Sequence, residues 1–310
     1  MTHMVTLPGV PGGVGLQRVG RVLVASGEPL APVTAWPTLA LAVIVLARSV
    51  GAVPCFAPVG AEFAAIVDQL GLLTVRLGST PYIHLQDWPQ SGRAGAGVRE
   101  AINRAKRDGL VLGRVDVRSG KAGQSSDITA WSSEVDRLGA AWLGKRRASV
   151  PFQWIFRLQP LAFAEHKQYF EARQSGRLAG VIAVSPLRGR DCWYLEDIVR
   201  ADDAPGSTGT ALVAYTLTSL KLSGVRTATL GGIPLAQERG WDGGQVTLLE
   251  RLAYRLRPVL AHLYSFRGLE LFKRRFGPAH WENEYLTFPP GLGARFSVAK
   301  ALLRLVLRGS

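Results

Sequence analysis

Cysteine and histidine are scarce in this chain of 310 residues. The two cysteines, Cys55 and Cys192, exclude a disulfide framework and a cysteine-rich zinc site. Both lie in apolar surroundings, which predicts that they are small buried side chains. The five histidines show no His-x-x-x-His spacing or other ligand pattern. The sequence therefore predicts no structural metal.

Long hydrophobic runs are also missing. The strongest candidate, residues 39–47 (LALAVIVLA), follows Trp36-Pro37 and ends before Arg48. A membrane-spanning helix needs about 20 apolar residues, so this run predicts a buried core helix instead. It also lies behind Arg18 and Arg21, too far from the N-terminus for a signal peptide. We therefore expect a cytoplasmic protein.

Acidic residues are outnumbered by basic ones. The 23 Asp and Glu residues stand against 37 Lys and Arg residues, which gives a formal net charge of +14. Such an excess indicates an anionic partner, namely nucleic acid, a phosphorylated ligand or an acidic membrane surface, although a solvated basic surface has the same composition. Apolar residues make up 47% of the chain, which is typical of a globular protein. At about 150 residues per domain, the length predicts two domains.

Helical and strand patterns alternate along the first part of the chain, which predicts an α/β fold. The predicted strands are residues 21–25, 53–59, 73–77, 82–85 and 111–117, and the predicted helices are 38–50, 62–70, 98–108 and 128–143. Two prolines place strand 53–59 at a sheet edge. Strands 73–77 and 82–85 are expected to pair around Gly78-Ser79. A polar loop covers 119–127, and a boundary near Ser149 divides the chain into lobes 1–149 and 150–310.

The second lobe repeats the alternation. Its predicted strands are residues 178–184, 192–199, 225–230 and 285–288, and its predicted helices are 207–223, 245–264, 268–275 and 295–308. Strand 192–199 is apolar on both faces and is therefore central. An antiparallel strand pair followed by a loop, a helix and a parallel strand resembles the core of the GNAT acyltransferase fold, whose sheet splays at the central strand. We therefore predict an α/β fold with two tandem GNAT-like lobes.

Charged residues end the central strand of the second lobe. Glu196 and Asp197 are adjacent, and Arg200 follows three residues later. Alternation along a strand predicts that the two carboxylates point to opposite faces. A buried carboxylate requires a partner, and Arg200 is the natural one for either. The group is either an ion pair that fixes the strand end or a polar site that orients an amine or a hydroxyl.

Small and hydroxyl-bearing residues open the following helix. Ser207, Thr208 and Gly209 lie where backbone amides are free, which suits an anion or a developing oxyanion. Ordinary capping by Ser207 or Thr208 explains the same pattern. GNAT enzymes that use acetyl-CoA carry Arg/Gln-x-x-Gly-x-Gly/Ala here. The absence of a basic residue from this loop argues against an acetyl-CoA donor.

Three segments concentrate basic side chains. Helix 98–108 has a basic face, which suits contact with an RNA backbone or with solvent. This face consists of Arg99, Asn103, Arg104, Lys106 and Arg107. Residues 273–275 (KRR) lie among the aromatic residues Phe272, Phe276 and Trp281, which suits either base stacking or cation–π packing. The tail, 295–308, is a basic amphipathic helix that either binds an anionic membrane or docks on the second lobe.

Six segments along the chain form a recognisable set of motifs. They are residues 27–29 (GEP), 98–104 (VREAINR), 142–143 (WL), 196–200 (EDIVR), 230–236 (LGGIPLA) and 264–281 (YSFRGL, FKRRF and W). In this order they resemble the soluble C-terminal catalytic domain of bacterial phosphatidylglycerol lysyltransferases, the aminoacyl-phosphatidylglycerol synthases. The resemblance covers about residues 27–289. We expect a stand-alone soluble form of this domain.

The resemblance implies two tandem GNAT lobes and a lipid hydroxyl that attacks the ester of an aminoacyl-tRNA, with no cofactor. It implies catalytic roles for Asp197 and Arg200 first, then for Glu196 and Lys273. We expect the substrate-binding residues to be Ser207, Thr208, Gly209, Gly231, Tyr264 and Arg275, with the tRNA on helix 98–108. The amino acid and the acceptor, a phosphatidylglycerol-like lipid or a small molecule, stay open. Two alternatives are an acyl-CoA-dependent GNAT N-acyltransferase and a non-catalytic module that binds tRNA or membrane.

Overall fold

The computed structural model describes residues 3–89, 91–93, 95–117, 127–146, 160–234 and 266–307. Twelve strands in these ranges form one sheet. They are β1 (His3–Leu7), β2 (Val10–Val19), β3 (Val22–Ala25), β4 (Val53–Val59), β5 (Leu73–His84), β6 (Leu110–Val115), β7 (Gln168–Gln174), β8 (Arg177–Leu187), β9 (Cys192–Arg200), β10 (Thr227–Thr229), β11 (Ile233–Pro234) and β12 (His280–Phe288). The α-helices in the same ranges are α1 (Trp36–Ser49), α2 (Ala61–Gln69), α3 (Ala96–Arg107), α4 (Ile128–Arg146), α5 (Thr208–Leu222), α6 (Phe266–Arg274) and α7 (Leu292–Leu307).

The strand order across the sheet is β1-β2-β3-β4-β12-β5-β10-β9-β8-β7-β6, with β11 paired to β5. The last strand of the chain, β12, therefore lies between β4 and β5. β6 pairs with β7. The predicted lobe boundary near Ser149 lies outside the described residues and stays a prediction, as do the loop 119–127 over most of its length and the helix 245–264.

The same succession of elements occurs twice along the sheet. β2 pairs antiparallel with β3, α1 follows, and β4 returns parallel to β3. β8 pairs antiparallel with β9, α5 follows, and β10 returns parallel to β9. This succession is the one that the sequence predicted for a GNAT-like unit, and it is present in both halves of the sheet.

Helices cover both faces of the sheet. In the half that contains β3 and β4, α1 and α2 pack on one face and α7 on the other. In the half that contains β8 and β9, α3 and α5 pack on one face and α4 on the other. The apolar run in α1 is a core helix, as predicted, because Leu39, Val43 and Ala47 are buried at helical spacing. No helix in the described ranges has the length and apolarity that a membrane crossing requires.

Two strand predictions are wrong. β4 is not an edge strand, because β3 and β12 pair on its two sides. Its second proline, Pro58, falls where the β12 register is irregular, and such irregular pairing tolerates a missing N–H. β5 is one continuous strand rather than a pair around Gly78-Ser79. Gly78 lacks a side chain because the backbone of Ile233 approaches it closely, and not because the chain turns there.

Sequence patterns also missed some strands. The hairpin of β1 and β2 and the strand β7 were not predicted, and β12 is longer than the predicted 285–288. In β12 the missed part is the polar segment from His280 to Glu284, whose alternation of charged and uncharged residues carries no hydrophobic signal. The missed half of β12 contains a residue of the candidate site.

Candidate functional site

The parallel strands β9 and β10 part after Tyr194. Thr227, Ala228 and Thr229 of β10 pair with residues 192–194 of β9. Beyond Tyr194, β9 continues to Arg200, and within the described residues this part pairs only with β8. Among the described strands, none pairs with the second backbone edge of this charged strand end. The splay predicted at the central strand is confirmed here.

A β-bulge lies at the charged end of β9. Leu195 pairs with Val184 and Asp197 pairs with Ala183, so Glu196 is an inserted residue without an opposite partner. Bulges interrupt the alternation of side chains and redirect them. Asp197 consequently lies on the face of its partner Ala183, which packs under α4, whereas Leu195 packs under α5.

Glu196 lies on the same side as Asp197, because it accepts a hydrogen bond at 2.9 Å from Ser185, which lies two residues along β8 from the partner of Asp197 and therefore on the same face. Both carboxylates act on the hydroxyl of Tyr169, a residue buried under α4, whose pKa is raised first by burial and then by these two charges. The same two carboxylates act on Tyr194, whose pKa burial also raises. The prediction that Glu196 and Asp197 point to opposite faces is therefore wrong. The bulge gathers two carboxylates and two tyrosines on one face.

The partner of Glu196 is a lysine that no sequence pattern predicted. Lys167 Nζ lies 2.6 Å from Glu196 Oε1, and Ser185 Oγ donates to the same carboxylate at 2.9 Å. The side chains of Lys167 and Glu196 are 9% and 23% exposed, so this ion pair is largely shielded from solvent. Lys167 directly precedes the missed strand β7, and nothing in its local sequence distinguishes it.

Arg200 is not the partner of Glu196. Its Nη1 donates to the carbonyl oxygens of Ala204 and Pro205, at 3.3 Å and 3.4 Å, in the loop before α5. Alternation explains this, because Arg200 shares a face with Ile198, which packs against the α3–α5 core. Arg200 was expected to pair with either carboxylate of the strand end. For Glu196 this prediction is wrong, and the guanidinium instead fixes the loop that opens α5.

The start of α5 carries the predicted hydroxyl group of residues. Ser207 is the N-cap residue but makes no capping hydrogen bond, and its Oγ donates to Asp108 Oδ2 at 3.4 Å. Thr208 is fully buried, and its Oγ1 has no hydrogen-bond partner in the described part of the chain. Gly209 follows in the first turn. Side-chain capping by Ser207 or Thr208 is therefore the wrong reading, and the anion or oxyanion reading stays a prediction.

A turn of two glycines follows β10 at the other side of the opening. Gly231 has φ +77°, and a Cβ there would lie 2.7 Å from the ring of Tyr194. Only glycine therefore fits between the turn and the tyrosine. Lys273 of α6 donates its ammonium hydrogens to the carbonyl oxygens of Gly231 and Gly232, at 2.7 Å and 2.9 Å.

Lys273 is a buried cation, only 6% exposed. Burial lowers its pKa to about 7, and the nearby charge of Glu284 opposes this effect. Glu284 lies on β12 and accepts a hydrogen bond from Thr80 Oγ1 of β5 at 2.5 Å. Burial raises the pKa of Glu284, whereas Thr80 and Lys273 act to lower it. Glu284, Thr80 and Tyr194 were not predicted as site residues.

α6 links the glycine turn to the start of α5. Two residues after Lys273, Arg275 Nη1 donates to Thr210 Oγ1 in the first turn of α5 at 3.0 Å. Arg274 between them stacks over Trp281, with 4.6 Å from the guanidinium carbon to the ring centroid. The three residues of the basic cluster 273–275 thus contact three different parts of the structure. For Arg274 the structure shows cation–π packing.

The basic face of α3 is exposed. Val98 and Ala105 are buried against the core that α3 shares with α5, whereas the polar residues turn outward. The exposed residues are Arg99, Asn103, Arg104, Lys106 and Arg107. Arg104 forms an exposed ion pair with Glu100 at 2.9 Å. The placement of this face is as predicted, and its RNA-binding role stays a prediction.

Apart from the basic face of α3, the predicted site residues within the described ranges lie in three places. Asp197 and Glu196 lie on the bulge, Lys273 and Gly231 at the glycine turn, and a third set lies around the start of α5, made of Arg200, Ser207, Thr208, Gly209 and Arg275. Tyr264 lies outside the described residues. Among the described residues, no cluster of three or more His, Cys, Asp and Glu side chains could hold a metal ion.

The two cysteines are free and buried, as predicted. Burial raises the pKa of Cys55 to about 12 and that of Cys192 to about 11. Neither thiol therefore forms a nucleophilic thiolate at neutral pH. The polar chemistry of the opening rests on carboxylates, tyrosines and Lys273.

The repeated strand–helix–strand unit, splayed at β9, defines a GNAT-like acyltransferase fold with two tandem units. A family model described as "Phosphatidylglycerol lysyltransferase, C-terminal" matches residues 12–288. The chain belongs to this family. The family predicted from the sequence motifs and the predicted α/β fold class are confirmed.

Individual relatives agree with this assignment. A phosphatidylglycerol lysyltransferase from Bacillus subtilis is 25% identical over 284 residues, which cover 87% of this chain and 30% of the relative. The chain thus spans about a third of that relative's length.

Two solved structures share the fold. One is the C-terminal domain of a protein described as a lysylphosphatidylglycerol synthetase from Agrobacterium fabrum, with a TM-score of 0.79 and 20% identity over 99% of this chain and 89% of that one. The other is L-PGS from Bacillus licheniformis, with a TM-score of 0.75 and 19% identity over 99% and 90% of the two chains.

Proposed function

We propose that this chain is an aminoacyltransferase that moves an amino acid from an aminoacyl-tRNA ester to a hydroxyl of a phosphatidylglycerol-like lipid or of a small molecule. Family membership supports the reaction class. The observation that carries the proposal is the opening where β9 parts from β10. It has two carboxylates on the bulge and a buried lysine at the glycine turn.

The reaction exchanges one ester for another. The acceptor hydroxyl oxygen bonds to the aminoacyl carbonyl carbon, the bond from that carbon to the ribose oxygen breaks, and the acceptor proton passes to the ribose oxygen. Because the ester is already activated, the protein's main tasks are to position both substrates and to stabilise the oxyanion between them. No cofactor is required for these steps.

Each charged group at the opening has a role in this mechanism. Asp197 holds the α-ammonium of the aminoacyl group or accepts the acceptor proton. Lys273 in its ammonium form stabilises the oxyanion. Arg200, anchored to the loop before α5, meets phosphate, and Glu196 is held by Lys167 beside Asp197. The buried surroundings strengthen these interactions because they exclude water.

The basic face of α3 suits the phosphate backbone of the tRNA acceptor arm. Its five polar side chains are exposed and lie on a helix that packs against α5, the helix that begins beside Arg200. Reversing the charge of Arg104 and Arg107 should weaken tRNA binding. It should also reduce the salt dependence of that binding by about one unit of slope for each phosphate that the protein no longer neutralises.

The exposed side of α7 suits an anionic membrane. Leu292 and Phe296 are 72% and 74% exposed, and Lys300 and Arg304 continue the exposed side. The opposite side, with Val298 and Ala301, is buried against the sheet. An apolar start followed by basic residues is typical of a helix that lies in a membrane interface. Contact of this kind would bring a lipid acceptor to the protein.

The direct test is a transfer assay with the full chain. The protein is incubated with tRNAs charged with radiolabelled amino acids, together with vesicles that contain phosphatidylglycerol or with a small-molecule polyol. We expect label in an acceptor for at least one amino acid. No label with any charged tRNA, lipid extract or small acceptor would contradict the proposal. Saturable binding of CoA would support an N-acyltransferase instead.

A further inference from the structure

The carboxylate of Glu284 lies against the glycine turn that holds Lys273. A Cβ on Gly232 would lie 2.5 Å from Glu284 Oε2 and 2.9 Å from its Oε1, so the carboxylate rests directly on this turn. Lys273 bonds the carbonyl oxygen of the same glycine at 2.9 Å. The ammonium and the carboxylate are thus separated by one backbone unit.

Glu284 is itself held in place from a distant part of the chain. Thr80 Oγ1 donates to Glu284 Oε1 at 2.5 Å, and β5 and β12 pair along nine registered positions around this contact. No described residue hydrogen-bonds the other oxygen, Oε2, which faces the turn. The carboxylate therefore has one fixed oxygen and one that is directed toward Gly232.

Other charged groups near Lys273 turn away from it. At the end of α6, Arg274 stacks over Trp281 and pairs with Glu270, and Arg275, which follows the helix, donates to Thr210. From β9, Tyr194 faces the turn as a neutral phenol, because burial and nearby carboxylates raise its pKa. Within the described residues, Glu284 is the one charged group that acts on Lys273.

We infer that Glu284 is a positioning residue that keeps Lys273 in its ammonium form, aimed at the reaction centre, by means of its charge across the Gly231–Gly232 turn. An opposite charge at short range favours the ionised form of a buried lysine, and its removal disfavours that form. The inference rests on the proposed function for its catalytic meaning. The coupling of the two side chains does not depend on that function, since it follows from their contacts with the Gly231–Gly232 turn.

The expected consequence is a shift in a pH profile. Burial already places the pKa of Lys273 at about 7, so its protonation changes in the neutral range. Replacing the carboxylate by an amide in Glu284→Gln should lower this pKa by about one unit. At pH 7 the ammonium fraction would then fall from about one half to about one tenth, a loss of about fivefold.

The first measurement titrates Lys273 directly and needs no substrate. Lysine side chains are labelled with a carbon isotope, and the Lys273 resonance is identified by its absence in Lys273→Met. We expect a midpoint near pH 7 in the wild type. We expect a midpoint about one unit lower in Glu284→Gln, and an intermediate one in Glu284→Asp. Gln at 284 still accepts the Thr80 hydrogen bond, so the fold is retained.

The matched control is Glu282→Gln, two residues earlier on the same strand. Glu282 pairs with Arg190 and not with the glycine turn, so its replacement should leave the Lys273 midpoint unchanged. An unchanged midpoint in Glu284→Gln, or an equal shift in Glu282→Gln, would overturn the inference.

The second measurement is the alkaline limb of the transfer rate, which should move to lower pH in Glu284→Gln by the same amount. A wild type without transfer activity would contradict the proposed function but would leave the titration decisive for the coupling.

Discussion

Arg173 connects α4 to the sheet beside the bulge, and its replacement by Met tests how this face is held together. Its guanidinium donates to Glu171 at 3.1 Å, to Glu134 of α4 at 2.7 Å and to the Gly176 carbonyl oxygen at 2.8 Å. Glu171 also accepts a hydrogen bond from the indole of Trp131 at 3.0 Å. Arg173 and Glu171 are both buried on the face that carries Tyr169.

Arg173→Met leaves the carboxylate of Glu171 buried with one neutral donor. Breaking a buried ion pair by removing one partner costs about 3–5 kcal/mol, because the remaining charge is uncompensated. For a chain of 310 residues, that corresponds to a fall in Tm of roughly 5–8 °C. The double variant Arg173→Met with Glu171→Leu should recover part of this loss, since it removes the stranded charge.

Urea unfolding, followed by fluorescence and circular dichroism, measures the free energy of unfolding of each variant. The matched control is Arg177→Met, which removes an exposed ion pair with Asp203 at 3.0 Å, and its effect should stay below about 1 kcal/mol. An Arg173→Met variant as stable as the control, or a double variant less stable than either single one, would show that Arg173 does not compensate the buried charge of Glu171.

Three further results are expected. Lys273 has a pKa of about 7 in the folded chain against 10.5 in the unfolded chain, so the unfolded chain binds more protons between these two pH values. The stability of the wild type relative to Lys273→Met, measured in thermal scans, should therefore be lowest below about pH 7 and rise with pH up to about 10.5. Gly231→Ala should lower the free energy of unfolding by about 1–3 kcal/mol more than Gly224→Ala, because both have positive φ but only Gly231 faces the Tyr194 ring; equal losses would contradict this. Phe296→Ser should weaken binding to phosphatidylglycerol vesicles about tenfold in a sedimentation assay. Leu222→Ser, at a residue that is at least as exposed, should not.

Hydrophobic patterns predicted the elements that bury a continuous apolar face. α1 and α5 were found because their buried residues recur at helical spacing, and β9 because both of its faces are apolar over its first half. The charged end of β9 drew attention to Glu196 and Asp197 for the same reason, since charges interrupt an apolar strand. These signals are local, and the sequence contains them in full.

The remainder of the site depends on distant parts of the chain. The bulge that turns Asp197 toward α4 is set by the register of β8, where Ala183 and Val184 pair with residues two positions apart. Gly78 in β5 suggested a turn, whereas the structure shows that a glycine is needed there because the backbone of β11 approaches it closely. Thr80 and Glu284 are brought together by the insertion of β12 beside β5. Side-chain spacing along one segment cannot reveal contacts of this kind.

The most direct test of the proposed reaction is a single-turnover measurement of aminoacyl transfer by Asp197→Asn. Asp203→Asn, an exposed aspartate in the loop after β9, is the control. We expect Asp197→Asn to fold like the wild type and to lose at least a hundredfold in rate with unchanged tRNA binding, while Asp203→Asn keeps full activity. Transfer by Asp197→Asn at the wild-type rate would contradict a reaction centre at the bulge of β9.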